Sequence, residues 1–165
     1  MQRDVTQIAR QYASRNALLV RESLGGGIHG LVYLLQSSVK PGGTAMKVFH
    51  AREFFQRELR VYERLQAVGV RQILGFAVPQ FVGADNELWA VEMTVVERPF
   101  VLDFAGAYLD NDAPWFEDEK WEIWEADKRE KFGERWREVK AVLAALEDYG
   151  IHMLDVNPGN VTFAD

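Results

Sequence analysis

Four glycines within six residues mark the first place where this sequence could bind a ligand. The stretch Gly25-Gly26-Gly27-Ile28-His29-Gly30-Leu31-Val32 matches the pattern G-x-G-x-x-G-x-V. Glycines let the backbone approach a phosphate without interference from a Cβ atom, and the exposed N–H groups can donate to it. A glycine-rich hairpin turn without a ligand would give the same pattern. The predicted strand that follows favours a flap that covers phosphates over a strand-to-helix dinucleotide loop.

A lysine and a glutamate further along the chain could form a buried ion pair. Lys47 lies in an apolar strand-like run, where it could also point outward by simple alternation. Glu58 is three residues after Phe55 and four before Tyr62, so it shares their helical stripe. An unpaired buried carboxylate is costly, and Lys47 is the obvious partner. The pair would direct the ammonium towards an anionic ligand under the glycines.

The third candidate is a turn-forming segment near the C-terminus. Asp155 and Asn160 lie five positions apart, in a loop that Pro158 and Gly159 make rigid. Such a segment could be only a loop, because it is rich in turn formers. One carboxylate and one amide beside a strand could also accept a hydroxyl proton and ligate a hard, oxygen-preferring cation.

The composition narrows the class of protein. The 165 residues, 48% hydrophobic and 27% charged, are ordinary for one globular domain. The net charge of -6 argues against a nucleic-acid partner, and the lack of cysteine excludes disulfides and thiolate metal sites. Neither a signal-peptide core nor a membrane-spanning apolar run occurs in the sequence. We therefore expect a soluble, cytoplasmic domain with no membrane partner.

The elements that must position these residues form a predicted α+β pattern. A first helix is expected over 4–16 with Asp4 as its N-cap, followed by a five-stranded antiparallel sheet with one helix inserted after the third strand. The predicted strands cover 17–24, 31–35, 44–49, 78–82 and 88–96, the inserted helix covers 52–68, and a turn covers 83–86. The second half is predicted to be helical, most clearly over 136–149, with a strand-like end at 161–163.

The order of these features resembles the protein-kinase-like superfamily. A glycine loop, a strand lysine, a helix glutamate and a D-x-x-x-x-N loop follow one another from about Leu18 to Val161. The resemblance implies an α+β fold in a single domain over 1–165. Its N-terminal lobe, over 1–96, would hold the five-stranded antiparallel sheet and one main helix. A reduced, mostly helical C-terminal lobe would cover 97–165.

The resemblance also implies ATP and Mg²⁺ as ligands and assigns roles to individual residues. Lys47 would contact the α- and β-phosphates and be held by Glu58, Asp155 would be the catalytic base, and Asn160 would be a magnesium ligand. The other nucleotide-binding residues would be Gly25, Gly27 and Gly30 in the loop, Val32 and Ala45 over the adenine, and the hinge from Glu92 to Thr94, whose backbone would meet the adenine edge. The acceptor would be an unknown hydroxyl-bearing molecule.

Three departures from the family pattern bear on activity. The usual H-R-D is Met153-Leu154-Asp155 here, and Asn157 replaces a phosphate-contacting lysine, as in atypical, small-molecule or bacterial members. The metal-binding D-F-G motif should follow Asn160, but Asp165 comes only five residues later, too soon for two strands and a turn. We therefore expect the chain to end before that motif, either as a truncated piece or as a natural minimal form.

Two main functions remain open at this point. The first is an ATP-dependent phosphotransferase of the serine/threonine-kinase type, with Asp155 activating the acceptor hydroxyl. The second is a pseudokinase or nucleotide-binding interaction module, which the missing second metal carboxylate favours. An unrelated α+β domain whose motifs coincide by chance is a third reading.

A tryptophan-rich segment over 115–136 has no counterpart in the family pattern. The helix over 136–149 would lack the cover that later helices provide, so its apolar face needs another partner. We expect the segment to fold over that face with Trp121, Trp124, Phe132 and Trp136, or a second copy or a partner protein to cover it. The alternative is a solvated charged helix with incidental aromatic residues.

Overall fold

The computed structural model describes residues 3–165, which form four α-helices, two short 3-10 helices and eleven strands. The α-helices are α1 (Val5–Arg15), α2 (Arg52–Ala67), α3 (Asp118–Phe132) and α4 (Trp136–Glu147). The longer strands are β1 (Leu18–Gly26), β2 (Gly30–Ser37), β3 (Gly43–Phe49), β6 (Phe81–Asp85) and β7 (Ala90–Thr94). The short strands are β4 (Gln72–Ile73), β5 (Phe76–Ala77), β8 (Phe100–Val101), β9 (Ala107–Leu109), β10 (Ile151–Met153) and β11 (Val161–Thr162). Within 3–165, no helix has the length and apolar composition to cross a membrane.

The five longer strands form the antiparallel sheet that the sequence predicts. Its order is β1-β2-β3-β7-β6, and α2 follows β3 in the chain. Lys47 lies opposite Val32 on one neighbouring strand and Val91 on the other. Because successive side chains of a strand point to opposite faces, the two faces of β3 carry different residues. This α+β arrangement of a sheet, one main helix and a small helical part agrees with the predicted fold class.

The two faces of the sheet are covered by different helices. Asp4 caps α1 as predicted, because its carboxylate accepts hydrogen bonds from the amides of Thr6 and Gln7. Ala9 of α1 packs against Met46 of β3 in one apolar cluster. The residues of α2 belong to the other cluster, which continues into the second half of the chain. The two clusters therefore lie on opposite faces of the sheet. The cluster on the α2 side continues towards the loop over 155–160.

The hairpin between β6 and β7 differs from its prediction. The strand expected over 78–82 lies at 81–85, and the turn expected over 83–86 falls at 86–89. Asp85 causes the shift, because its carboxylate accepts hydrogen bonds from the amides of Glu87 and Leu88 at 2.9 Å each. Such a side-chain turn ends the strand after the aspartate. Gly83, which the sequence suggested as a turn residue, lies within the strand opposite Glu92.

The apolar face of α4 is covered within the chain. Val139, Val142 and Leu146 are fully buried and belong to one cluster with Ile151 and Met153 of β10. Other members of the same cluster lie in α2 and β7, so the helical half and the sheet share a core. Of the expected covers, the chain itself buries these three residues, and the alternative of a second copy or a partner protein has no support in this structure.

The tryptophan-rich segment packs beside that core rather than remaining a fully solvated helix. Trp136 is buried, and the rings of Trp124 and Phe132 lie 5.8 and 6.1 Å from its ring. Trp121 lies at the rim and stays 37% exposed. The segment thus contributes Trp124, Phe132 and Trp136 to packing, as predicted, while Trp121 remains largely at the surface.

The sequence analysis missed five short strands: β4 and β5 after α2, β8 and β9 between residues 97 and 112, and β10 before the 155–160 loop. Strand β9 pairs with β10, and β8 lies between β11, to which it is antiparallel, and β5, to which it is parallel. The segment from β8 to β9 precedes α3 in the chain, whereas β10 and β11 flank the 155–160 loop. These pairings bring residues 102–106 beside that loop.

Candidate functional site

A cleft of about 660 Å³ lies between the five-stranded sheet and the 155–160 loop. The glycine loop (residues 25–30) covers one side of it, and the residues after β7 close one end. The predicted site residues that line the cleft are Gly25, Gly27, Gly30, Val32, Ala45, Lys47, Glu58, Thr94, Asp155 and Asn160. The structure therefore brings together all of the predicted site residues except Glu92.

Lys47 is held between two carboxylates. Its Nζ lies 2.7 Å from Glu58 Oε2 and 2.6 Å from Asp103 Oδ1, and the residue is only 4% exposed. Burial alone would lower the pKa of Lys47, but the charges of Glu58 and Asp103 outweigh it and the net shift is upward. Lys47 is therefore an ammonium ion at neutral pH.

Glu58 is the more deeply buried partner. It is 1% exposed, as its place on the apolar stripe of α2 predicts. Burial raises the pKa of Glu58, and the ammonium of Lys47 and the amide of Phe104 oppose that shift. The carboxylate thus depends on Lys47 for its charge, which ties the position of the lysine to that of α2.

The glycine loop approaches the cleft closely because two of its glycines cannot carry a side chain. Gly25 has a φ of 135° at an irregularity in the β1–β2 pairing, a conformation that side chains disfavour. A Cβ atom at Gly30 would overlap the carbonyl oxygen of Val48 on the neighbouring strand. The amide of Gly27 donates to the carbonyl of Gly30 at 3.0 Å and closes the loop.

Of the predicted hinge residues, Glu92 does not line the cleft with its side chain, whereas the predicted contact through the hinge backbone stays a prediction. Strand alternation puts Met93 on the cleft face of β7 and Glu92 on the opposite face, where its carboxylate accepts hydrogen bonds from Tyr12 and Thr44. Thr94 does line the cleft, as do Val95 and Val96 beyond the end of the strand. The cleft edge of the hinge therefore begins after Glu92, and the side chain of Glu92 anchors α1 instead.

The 155–160 loop is held by its own side chains. The side-chain amide of Asn160 donates to the carbonyl of Asp155 at 2.7 Å, and its oxygen accepts from the amide of Asn157 at 2.9 Å. The side-chain oxygen of Asn157 in turn accepts from the amide of Gly159 at 2.8 Å. Asn160 is buried, whereas the carboxylate of Asp155 is partly exposed to the cleft. The loop thus presents Asp155 from a fixed backbone.

Asp103 is a site residue that the sequence analysis missed. It follows β8, has a φ of 66° and contacts Lys47, so a second carboxylate enters the cleft from a segment upstream of the 155–160 loop. The expected lack of a second carboxylate concerned only the segment after Asn160. The sequence signal that could have identified this residue is the segment Asp103-Phe104-Ala105-Gly106, which directly follows an apolar run.

A glycine fixes how closely the two acid-bearing segments approach. A Cβ atom at Gly106 would lie 2.7 Å from Cβ of Asp155, closer than a side chain tolerates. Phe104, between Asp103 and Gly106, is fully buried with its ring 5.6 Å from that of Tyr62 on α2. The segment is therefore anchored on α2 and passes directly over Asp155.

His29 of the glycine loop is a second residue that the sequence analysis did not assign to the site. Its Nδ1 lies 3.8 Å from Asp103 Oδ1 and 3.7 Å from Asp155 Oδ2. The residue is 6% exposed and packs against the ring of Phe54 on α2. The glycine loop therefore contacts both acid-bearing segments through this side chain.

The oxygen donors of the cleft fit a magnesium ion that binds together with phosphates. Asp103 and Asp155 supply carboxylates and Asn160 supplies an amide oxygen, which are the hard ligands that Mg²⁺ prefers. Over residues 3–165, no group of three or more His, Cys, Asp or Glu side chains has the geometry of a metal site. Because Mg²⁺ usually needs only one or two carboxylates besides substrate phosphates, this smaller donor set is sufficient for it.

Comparisons with known proteins were made by sequence and by structure. No family model matches the sequence, and no curated protein matches it. Among solved structures, the chain is similar to the PknI kinase domain of Mycobacterium tuberculosis, with 21% identity over 81% of this chain and 48% of that chain and a TM-score of 0.40. A single-site mutant of that domain gives 22% identity at the same coverage and TM-score. The chain spans about half the length of the kinase domain that it resembles.

Proposed function

We propose that the cleft binds ATP with Mg²⁺ and that the protein transfers the γ-phosphoryl group to a hydroxyl-bearing acceptor. The observation that carries this proposal is the position of Lys47 between Glu58 and Asp103, in the cleft that the glycine loop and the 155–160 loop share. An ammonium held by a buried acid and a partly exposed one is a fixed positive charge for phosphate oxygens. The cleft volume of about 660 Å³ is in the range of small-molecule sites.

The nucleotide would lie between the glycine loop and the hinge. Val32, Ala45 and Met93 supply an apolar surface for the adenine ring, and the backbone at Val95 and Val96 supplies polar groups for its edge. The triphosphate would extend under the glycine loop to the ammonium of Lys47. Amides of that loop would donate to its oxygens.

Magnesium would be held by Asp103 and Asn160 beside the phosphates. When bound, the ion neutralises the charge that develops on the phosphate oxygens during transfer. The ammonium of Lys47 already pairs with Asp103, so the same carboxylate would link the lysine to the metal.

Asp155 would act as the general base. Its carboxylate would accept the hydroxyl proton of the acceptor while the acceptor oxygen forms a bond to the γ-phosphorus. The bond from that phosphorus to the oxygen bridging the β- and γ-phosphates breaks, and ADP leaves with the electron pair. The backbone of the 155–160 loop, fixed by Asn160, holds Asp155 in place for this step.

The alternative of nucleotide binding without catalysis depended on a missing second carboxylate. Asp103 is a candidate for that carboxylate, since it lies in the same cleft as Asp155 and Asn160. This arrangement favours the phosphotransferase over the pseudokinase.

Nucleotide binding is tested first by calorimetry with ADP, in the presence of Mg²⁺ and in the presence of a chelator. Asp103→Asn keeps the size of the side chain but removes the charge that would hold the metal. We expect the wild type to bind ADP more tightly with Mg²⁺ and the variant to lose most of that gain. Asp112→Asn, at an exposed aspartate outside the cleft, is the matched control. No ADP binding by the wild type, or equal Mg²⁺ dependence in all three proteins, contradicts the proposal.

Catalysis is tested by label transfer from γ-labelled ATP to a panel of hydroxyl compounds, proteins and water. Asp155→Asn keeps the shape of the base and removes its proton-accepting charge, so we expect transfer to fall by about 100-fold or more. Binding of Mg²⁺ and ADP should change much less, because Lys47 and Asp103 remain. Equal transfer by the variant and the wild type would exclude Asp155 as the base.

A further inference from the structure

We infer that Trp124 of α3 is a positioning residue for Asp155, an inference that rests on the proposed role of the 155–160 loop. The indole Nε1 of Trp124 donates a hydrogen bond to the carbonyl oxygen of Leu154 at 3.1 Å. Leu154 is the residue directly before Asp155. The contact joins an element outside the central core to the backbone that carries the proposed base.

Helix α3 is attached to the rest of the molecule through Trp124, through the ring of Phe132, which stacks 6.1 Å from that of Trp136, and through Glu125, which accepts a hydrogen bond from Lys140 at 3.0 Å. Most of α3 lies at the surface: Lys128 is its one buried residue, and Ile123 is 64% exposed. Trp124 is half-buried and lies with its ring 5.8 Å from that of Trp136, which is 4% exposed and belongs to the main core cluster. Trp124 therefore connects the core, through Trp136, to the loop.

The peptide group before Asp155 is fixed by two hydrogen bonds. The carbonyl of Leu154 accepts from the indole of Trp124 and also from the amide of Val156 at 3.1 Å. The carbonyl of Asp155 itself accepts from Asn160 at 2.7 Å. Since the planes of the two flanking peptide groups determine the direction of the Asp155 side chain, loss of the Trp124 bond would release one of them.

Trp124 does not touch the proposed nucleotide site. It lines a separate cavity of about 310 Å³ on the other side of the loop, together with Trp121, Trp136 and Leu154. Lys47 and the glycine loop belong to the larger cleft. A change at Trp124 should therefore alter the position of Asp155 and leave nucleotide binding intact.

The variant that isolates this bond is Trp124→Phe, which keeps an aromatic ring against Trp136 but has no N–H donor. Trp121→Phe is the matched control, because Trp121 belongs to the same series of edge-to-face rings and lies at the rim. Two-dimensional NMR of the full chain should show that the amide signals of the 155–160 loop, all but Pro158, shift in Trp124→Phe and stay in place in Trp121→Phe. In the wild type, the Trp124 indole proton should exchange slowly with solvent.

The second measurement is label transfer from γ-labelled ATP. We expect transfer to fall about tenfold or more in Trp124→Phe, since small misplacements of a catalytic group are costly, while the Kd for ADP with Mg²⁺ changes less than about twofold. Unshifted 155–160 amides in Trp124→Phe, equal shifts in both variants, or a rapidly exchanging indole proton would overturn the inference. A wild type without ADP binding or transfer refutes the proposed function instead, and the NMR result still decides whether Trp124 fixes the loop.

Discussion

Negative charge exceeds positive charge around Lys47. Glu58 and Asp103 both contact its ammonium, and Asp155 faces the same cleft. A free triphosphate, itself strongly negative, would meet this excess directly, whereas a metal-bound triphosphate brings compensating positive charge. The charge balance of the cleft therefore suits a nucleotide that arrives with its cation.

Alkaline pH should destabilise the fold through Lys47 and two tyrosines. The folded pKa of Lys47 is raised above 10.5, with burial opposed and outweighed by Glu58 and Asp103. For Tyr12 and Tyr62, burial itself raises the pKa above 10.0. Each group binds its proton more tightly in the folded state, so its contribution is complete below its unfolded pKa and is lost as the pH rises through its folded pKa.

The upward direction of these pKa shifts predicts a measurable dependence of the free energy of unfolding on pH. We expect the free energy of unfolding to decrease above the unfolded pKa values, by about 1.4 kcal/mol per pH unit for each group that titrates only in the unfolded state. Urea unfolding at a series of alkaline pH values measures it. Tyr12→Phe removes one titrating group and should make the slope shallower. A stability that rises over the same pH range contradicts the assigned directions.

Gly106 tests whether close approach of the two acid-bearing segments matters. Gly106→Ala adds a Cβ atom 2.7 Å from Cβ of Asp155, so one segment must move. We expect label transfer to fall about tenfold or more and the free energy of unfolding to fall by about 1–3 kcal/mol. Kinetics and urea unfolding measure these effects. Unchanged transfer at unchanged stability would mean that the approach is not needed.

At the scale of elements, the β6–β7 turn depends on one aspartate. Burial would raise the pKa of Asp85, but hydrogen bonds from the amides of Leu88 and Glu87 and from Arg15 outweigh it, and the pKa is lowered from 3.8. A depressed folded pKa means that the stabilisation is present above 3.8 and is lost as the pH falls through the folded value.

Asp85→Ala should lower the free energy of unfolding by about 1–2 kcal/mol at neutral pH. The difference from the wild type should shrink as the pH falls below 3.8, because the wild-type carboxylate then loses its charge. Urea unfolding at neutral and acid pH measures both values. Glu87→Ala is the control, since Glu87 pairs with the same Arg15 but is 80% exposed in its side chain and should contribute little. Equal losses in the two variants would contradict a special role for Asp85.

The elements were predictable from the sequence where periodicity and capping agreed. Asp4 and the apolar spacing define α1, and the stripe that contains Glu58 defines α2. The β6–β7 hairpin was misplaced because Gly83 resembles a turn residue in the sequence, while the hydrogen bonds of Asp85 that end the strand depend on the folded geometry. The sequence predicts the strand that carries Glu92 but not the hydrogen bonds of its side chain to Tyr12 and Thr44, because these partners are distant in the sequence.

At the scale of the whole molecule, the missing information was which distant segments pair. Lys47, Glu58, Asp155 and Asn160 could be assigned because each lies in a motif whose neighbours in the sequence identify it. Asp103 follows β8, which pairs with β5 and β11, and propensity alone does not detect such two-residue strands. Sequence order therefore gave no reason to place a second acid in the cleft, whereas the spatial order of the strands brings Asp103 there.

The sheet and the helical half share one core, so they should unfold together. Leu146 of α4 is fully buried in the same cluster as Val91 of β7 and Phe55 of α2. A cavity at Leu146 should therefore weaken the whole molecule, and we expect Leu146→Ala to cost about 2–5 kcal/mol. Leu19→Ala, at a leucine that is 51% exposed, is the matched control and should cost far less.

Amide hydrogen exchange, read separately for β3 and α4, distinguishes a shared core from two independent ones. In a single cooperative unit, the slowest amides of both elements exchange through global unfolding, and Leu146→Ala lowers their protection equally. If the two halves were independent, the variant would lower protection in α4 and leave β3 unchanged. That outcome would also mean that the stability around Lys47 in β3 does not depend on the stability around Asp155 in the loop after β10. Equal loss of protection would instead mean that the folding of either half stabilises the geometry of the cleft between them.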